Sequence, residues 1–144
     1  EPVDSIPSGL KQLARAELLS YQNKNDEALA ELENLFTSKD ILVNGLVPGE
    51  VIYDDVLFFQ AKLCIKQKRY EDAILSLEKI IAADNQGFLT DDVYYQMAEL
   101  YHYNLKNIEK AKEYYQKIIF EHPSSIYLVE ARKKFRKLRG DTIN

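Results

Sequence analysis

The segment DDVLFFQAKL, Asp54 to Leu63, returns as DDVYYQMAEL, Asp91 to Leu100, 37 residues later. The likeness continues past both segments. KRYEDAILSLEKII at Lys68 to Ile81 answers KNIEKAKEYYQKII at Lys106 to Ile119, now at an offset of 38. Ala61 pairs with Ala98, Ala73 with Ala111, Leu77 with Tyr115 and Ile80 with Ile118. The added residue is expected in the connection near Leu105. A period of this size, carried by two long segments and a short polar turn, calls for stacked supersecondary units.

Both segments of each unit read as helices. Leu57, Ala61, Cys64 and Ile65 recur at three- and four-residue steps, as do Ala73, Leu77, Ile80 and Ile81. Tyr94, Ala98 and Tyr101, then Ala111, Tyr115, Ile118 and Ile119, repeat the pattern. An earlier, weaker copy runs from Leu10 to Phe36, with Ala16 and Ala28 in the registers of Ala61 and Ala73. Thr37 to Tyr53, with Gly45, Pro48 and Gly49, reads as a loop that carries at most one short turn of helix. Ala83 to Thr90 is a shorter insertion, and Pro123 stops the next helix. SSIYLVEARKKFRKLR follows as a seventh helix, with Leu128, Ala131, Phe135 and Leu138 as its apolar stripe. The alanines mark places where facing helices approach closely.

The resulting expectation is an all-α array of antiparallel helix pairs, about three repeats plus a C-terminal capping helix. Its bounds are an extended segment over 1–8, the helical repeat domain over 9–139 and a tail over 140–144.

Chemistry finds little purchase. Cys64 is the single cysteine, which excludes an intrachain disulfide and a cysteine-based zinc site; on an apolar helix face it reads as a small buried hydrophobe. The Asp54–Asp55 and Asp91–Asp92 tandems fall at helix starts, where aspartates cap free backbone N–H groups. His102 and His122 lack a nucleophile tied to them by any motif; His102 falls on a groove wall or plain surface, His122 at a helix end. Tyr94, Tyr101 and Tyr115 fit the packing pattern, whereas Tyr95, Tyr103 and Tyr114 are free to point elsewhere. No phosphate-cradling glycine loop is present, so neither enzyme activity, cofactor nor metal is expected. A net charge of -4 supplies no general drive toward nucleic acid. The basic run Arg132 to Arg139 reads as the outer face of a capping helix rather than a membrane or nucleic-acid site, with a protein contact as the other reading. The tripeptide Arg139 to Asp141 matches an adhesion motif too short to carry weight. No apolar stretch is long enough to cross a membrane, and the first residues hold no signal-peptide core. A start at Glu1 reads as a processed chain or an excised fragment.

The array resembles the tetratricopeptide repeat (TPR) family. The residues that carry the likeness are Tyr94, Ala98, Tyr101, Ala111, Tyr115, Ile118 and Pro123 in the third unit, and Leu57, Ala61, Tyr70, Ala73, Leu77 and Ile80 in the second. Cys64 departs from the family's aromatic and Asn85 from its proline; the first unit matches through Ala16, Leu19, Ala28, Leu32 and Leu35. The resemblance implies a right-handed, TPR-like solenoid whose first helices line a groove for proteins or peptides. Carried over by position, the candidate protein-binding residues are Phe58, Lys62, Lys66, Tyr95, Glu99, His102, Tyr103, Arg132 and Arg136. Leu13, Glu17, Tyr21, Ile65 and Leu128 share that register. Phe58, Leu13 and Glu17 stand where the family's carboxylate-clamp members need Lys or Asn, so that subclass is not expected. The closing phrase YYQKIIFEHPSSIYLVEARKKFRKLRGD also looks like the end of large envelope-associated repeat proteins of Bacteroidetes. That likeness implies a periplasmic or outer-membrane-associated module of a larger protein, with the cytoplasm as the alternative. The expected function is a noncatalytic protein- or peptide-binding scaffold; a structural spacer or homo-oligomerisation domain is the rival.

Overall fold

Each expected helix pair closes through the same backbone device. A computed structural model describes residues 8–37 and 51–140. Among them are α1 (Ser8–Tyr21), α2 (Asn25–Thr37), α3 (Val51–Lys66), α4 (Tyr70–Ala83), α5 (Thr90–Glu99), α6 (Ile108–Glu121) and α7 (Leu128–Arg139), and no strand. Asn23, Lys68 and Lys106 stand in the three intra-pair turns with φ of 62°, 60° and 56°. This left-handed residue reverses the chain so that the next amide reaches back over the helix end. Lys24 donates to the Leu19 carbonyl and Arg69 to the Cys64 carbonyl, both at 2.8 Å. These bonds satisfy carbonyls that the ended helix leaves open. Residues 1–7 of the expected extended segment, most of the Thr37 to Tyr53 loop and the tail beyond Gly140 lie outside the described residues, while Ser8, placed in that segment by the sequence, already opens α1. Where that loop is described, its last residues from Val51 already belong to α3.

The third pair departs from this scheme. The added residue does not lengthen the polar turn as expected; a π-helical turn, Leu100–Asn104, absorbs it at the end of α5. Leu105 donates to the Leu100 carbonyl at 2.8 Å, a five-residue step, and Asn107 reaches Tyr101 at 2.8 Å across six. One residue is thus accommodated inside the helix, which widens there and re-aims the side chains that follow. Asn107 then caps α6, its Oδ1 accepting from the Lys110 amide at 3.1 Å.

Two compact units result, one ending at Asp84 and the other beginning at Asn85. In the first, Ala16, Ala28, Leu32, Val56, Leu57, Ala61, Ala73, Leu77 and Ile80 are at most 1% exposed. In the second, Val93, Met97, Ala98, Ala111, Tyr115, Ile118 and Ala131 reach the same depth. The paired alanines are therefore fully buried within the packed helix pairs. Leucines and isoleucines on either side supply roughly 1.5–3 kcal/mol each on full burial. Cys64 is buried as expected, and burial pushes its thiol pKa up. Ala131 seats α7 on the second unit, and Gly140, at φ 96°, ends that helix in a conformation glycine adopts without strain.

The aspartate tandems cap less than expected. Leu89, not an aspartate, occupies the N-cap of α5, and no side chain bonds there. Asp91 and Asp92 fall in the first turn, where Asp91 accepts from the neighbouring Asp92 amide at 3.0 Å. Asp54, in the first turn of α3, is buried, and its Oδ1 has no hydrogen-bond partner among the described residues. What remains of the capping role is their negative charge beside the positive helix end. His122 does occupy the expected C-cap of α6, donating its amide to Ile118 at 2.9 Å.

Candidate functional site

In the second unit α5 and the π turn raise one polar wall. Tyr95 and Glu99 stand one helical turn apart, and the π turn brings His102 and Tyr103 alongside. Lys134 of α7 binds this wall together. Its Nζ donates to both Glu99 carboxylate oxygens at 2.9 Å and to the Tyr95 hydroxyl at 3.0 Å. The same ammonium lies 5.3 Å from the centre of the Tyr95 ring and 5.4 Å from that of Tyr103. An aromatic face and a carboxylate thus surround one cation. Burial works to lower the Lys134 pKa, but the bonds to Tyr95 and Glu99 outweigh it and hold the lysine above its ordinary range.

Behind the wall, Tyr115 of α6 is fully buried and donates its hydroxyl proton to Glu99. With that proton committed, the phenol oxygen accepts from His102 Nδ1 at 3.2 Å, which places the imidazole proton on Nδ1. Burial pushes the His102 pKa below the ordinary value; Glu99 opposes the shift, and Lys134, Lys106 and Lys137 add to it. Burial, then the bond to Glu99, drives the Tyr115 phenol far above its ordinary pKa. Tyr103 stacks on His102 at 3.9 Å and is 49% exposed, so the wall presents an open aromatic face. At the other end Tyr95 stacks on Tyr127 at 4.4 Å, and the Tyr127 hydroxyl donates to Asp92 at 2.6 Å. That bond, with burial second, pushes the Tyr127 pKa up to about 12.

Four predicted site residues, Tyr95, Glu99, His102 and Tyr103, therefore come together. Phe58, Lys62 and Lys66 follow one face of α3 in the first unit, with Lys62 Nζ 4.7 Å above the Phe58 ring and Lys66 exposed one turn on. Glu17 and Tyr21 are exposed, and Leu13, Ile65 and Leu128 half-buried. Arg132 and Arg136 do not join the tyrosine wall. They are exposed and share a surface depression with Ile119, Phe120 and Phe135.

Sequence reasoning missed Lys134 and Tyr127. Lys134 lies inside the basic run expected to face outward, yet Tyr127, Ala131 and Lys134 fall at i, i+4 and i+7. That is the stripe whose centre, Ala131, is fully buried. The spacing held the signal; the run of like charges masked it. Tyr114 was likewise expected to be free to point elsewhere, but it stacks on Tyr101 at 5.9 Å within the packing seam.

The wall's acid, amine, imidazole and phenol are bonded to one another. Among the described residues no group of three or more His, Cys, Asp or Glu could hold a metal ion. No described helix is long and apolar enough to cross a membrane.

Tetratricopeptide-repeat models match residues 54–86 and 92–125, the spans of the α3–α4 and α5–α6 pairs. No curated protein matches the sequence. The fold is all-α and built from tetratricopeptide-type helix pairs, repeats that generally serve as scaffolds for protein–protein interaction.

Proposed function

From this tetratricopeptide framework, we propose that the chain is a noncatalytic scaffold that receives a protein or peptide segment on the wall of Tyr95, Glu99, His102 and Tyr103. The observation that carries the reading is the locking of that wall. Tyr103 is held against His102, His102 against Tyr115, and Tyr95 against Tyr127, so exposed aromatic surface is presented in a set conformation. Side chains ordered beforehand lose less entropy on binding. Phe58, Lys62 and Lys66 offer similar aromatic and cationic chemistry on α3. The closing segment's resemblance to envelope repeat proteins supports a bacterial envelope setting within a larger protein.

A photo-crosslinking amino acid placed at Tyr103 tests this reading against envelope and cytosolic extracts. One adduct from the envelope extract, lost in a Tyr95→Ala variant of unchanged circular dichroism, is the expected result. No adduct from either extract would remove the wall as a binding site; equal capture from cytosol would remove the envelope setting. One observation favours a second reading, a structural spacer. Lys134 already occupies Glu99, so part of the wall serves internal packing. A spacer would yield no adduct while remaining folded.

A further inference from the structure

Outside the tyrosine wall, α6 and α7 leave a second surface that the scaffold reading does not use. Phe120 is 72% exposed on α6 and borders a depression of about 430 Å³ with Ile119 and Phe135. Arg132, Arg136 and Arg139 complete its lining, at i, i+4 and i+7 along one face of α7. The charges around it are unevenly matched. Glu109, Glu113, Glu121 and Glu130, the acids of these two helices, each lie within ion-pair distance of a lysine. Arg132 and Arg136 have no ion-pair partner among the described residues. Arg139 lies 5.2 Å over the Phe135 ring, which holds its planar group against the depression.

We propose that this depression docks an acidic protein segment, one that places a large apolar side chain against Phe120 and carboxylates on Arg132 and Arg136. Guanidinium forks recognise carboxylates through two parallel hydrogen bonds, and an uncompensated pair of them selects a negative partner. The chain's net charge of -4 and the pairing of the neighbouring lysines leave two free guanidinium groups beside Phe120 among the described residues. That suits a short acidic peptide and not the phosphate run of a nucleic acid, which needs a broad basic surface. The site is separate from the tyrosine wall and requires neither that wall nor its partner.

The test is a titration of the isotope-labelled 144-residue chain, followed by NMR. The probe is a synthetic twelve-residue peptide with Leu and Phe four positions apart among glutamates. Expected are saturable shifts at Ile119, Phe120 and 132–139, with affinity falling as salt rises. Arg132→Glu/Arg136→Glu and, separately, Phe120→Ser should each weaken binding by about tenfold or more, with circular dichroism unchanged, while Tyr103→Ala leaves it intact. Absence of saturation, equal affinity in both variants, or shifts centred on Tyr95 to Tyr103 would overturn the proposal. So would equally tight binding of a thymidine oligonucleotide or anionic vesicles without dependence on Phe120, the mark of a general polyanion surface. Self-association abolished by the arginine substitutions would assign the surface to a second copy instead.

Discussion

Asp54 and Asp91 hold the same register in successive helix pairs, yet their surroundings differ. Asp91 is half-buried and bonds the next amide, whereas Asp54 is buried with one carboxylate oxygen unpartnered among the described residues. Burial raises the Asp54 pKa, and the nearby charges of Asp84 and Asp55 raise it further. A raised folded pKa means that the folded state binds the proton more tightly than the unfolded chain. The stabilising contribution is therefore fully present below the ordinary carboxylate pKa and is lost as pH rises through the folded one. At neutral pH the ionised carboxylate is a cost. Asp54→Asn keeps the shape and removes the charge, so we expect it to be more stable than wild type at pH 7 by about 1 kcal/mol. The gap should close toward pH 4. Urea midpoints between pH 4 and 7 check this, and a gap that stays constant with pH would refute the assignment to Asp54 ionisation.

At the scale of the element, the π turn at Leu100–Asn104 is the departure with the widest effect. The first two turns close on a six-residue hydrogen-bonded loop, and the third needs one residue more. Deleting Leu105 restores the 37-residue spacing and should let the end of α5 close like that of α3. The His102 ring would then rotate away from Tyr115. Because burial holds its pKa down in the native chain, His102 in the deletion variant should titrate closer to an ordinary histidine, with helix content retained. An NMR titration of the two histidines reads this directly; an unmoved His102 would show that the π turn does not set its position. The expectation of an added residue near Leu105 was legible as an offset of 38 against 37. Its location inside the helix was not, because an offset counts residues without saying which hydrogen bonds stretch to admit them.

Across the whole molecule, the two compact units each own a core. Ala111 is fully buried where α6 crosses its neighbours, and leucine there adds volume that the close approach cannot admit. Ala111→Leu should cost about 1–3 kcal/mol. In a repeat architecture that cost is felt first locally, so amide exchange should accelerate across Val93 to Ile118 while Leu57 to Ile80 stays near wild type. Uniform loss of protection along the chain would instead mean that the molecule opens as one cooperative body.

Helix pairs, their alanine crossings and their apolar faces were determined by the sequence alone, since periods of 3.6 and 37 residues are local properties that each stretch carries within itself. Tertiary structure alone decided which polar side chains meet. Lys134 turns inward onto Glu99 although its basic neighbours face water, and Arg132 and Arg136 gather beside Phe120 rather than beside Tyr95. The physical reason is that burial of apolar area is non-directional and tolerates approximate placement, whereas a hydrogen bond between residues 35 positions apart is made or lost within about 1 Å. Composition and spacing do not resolve that distance.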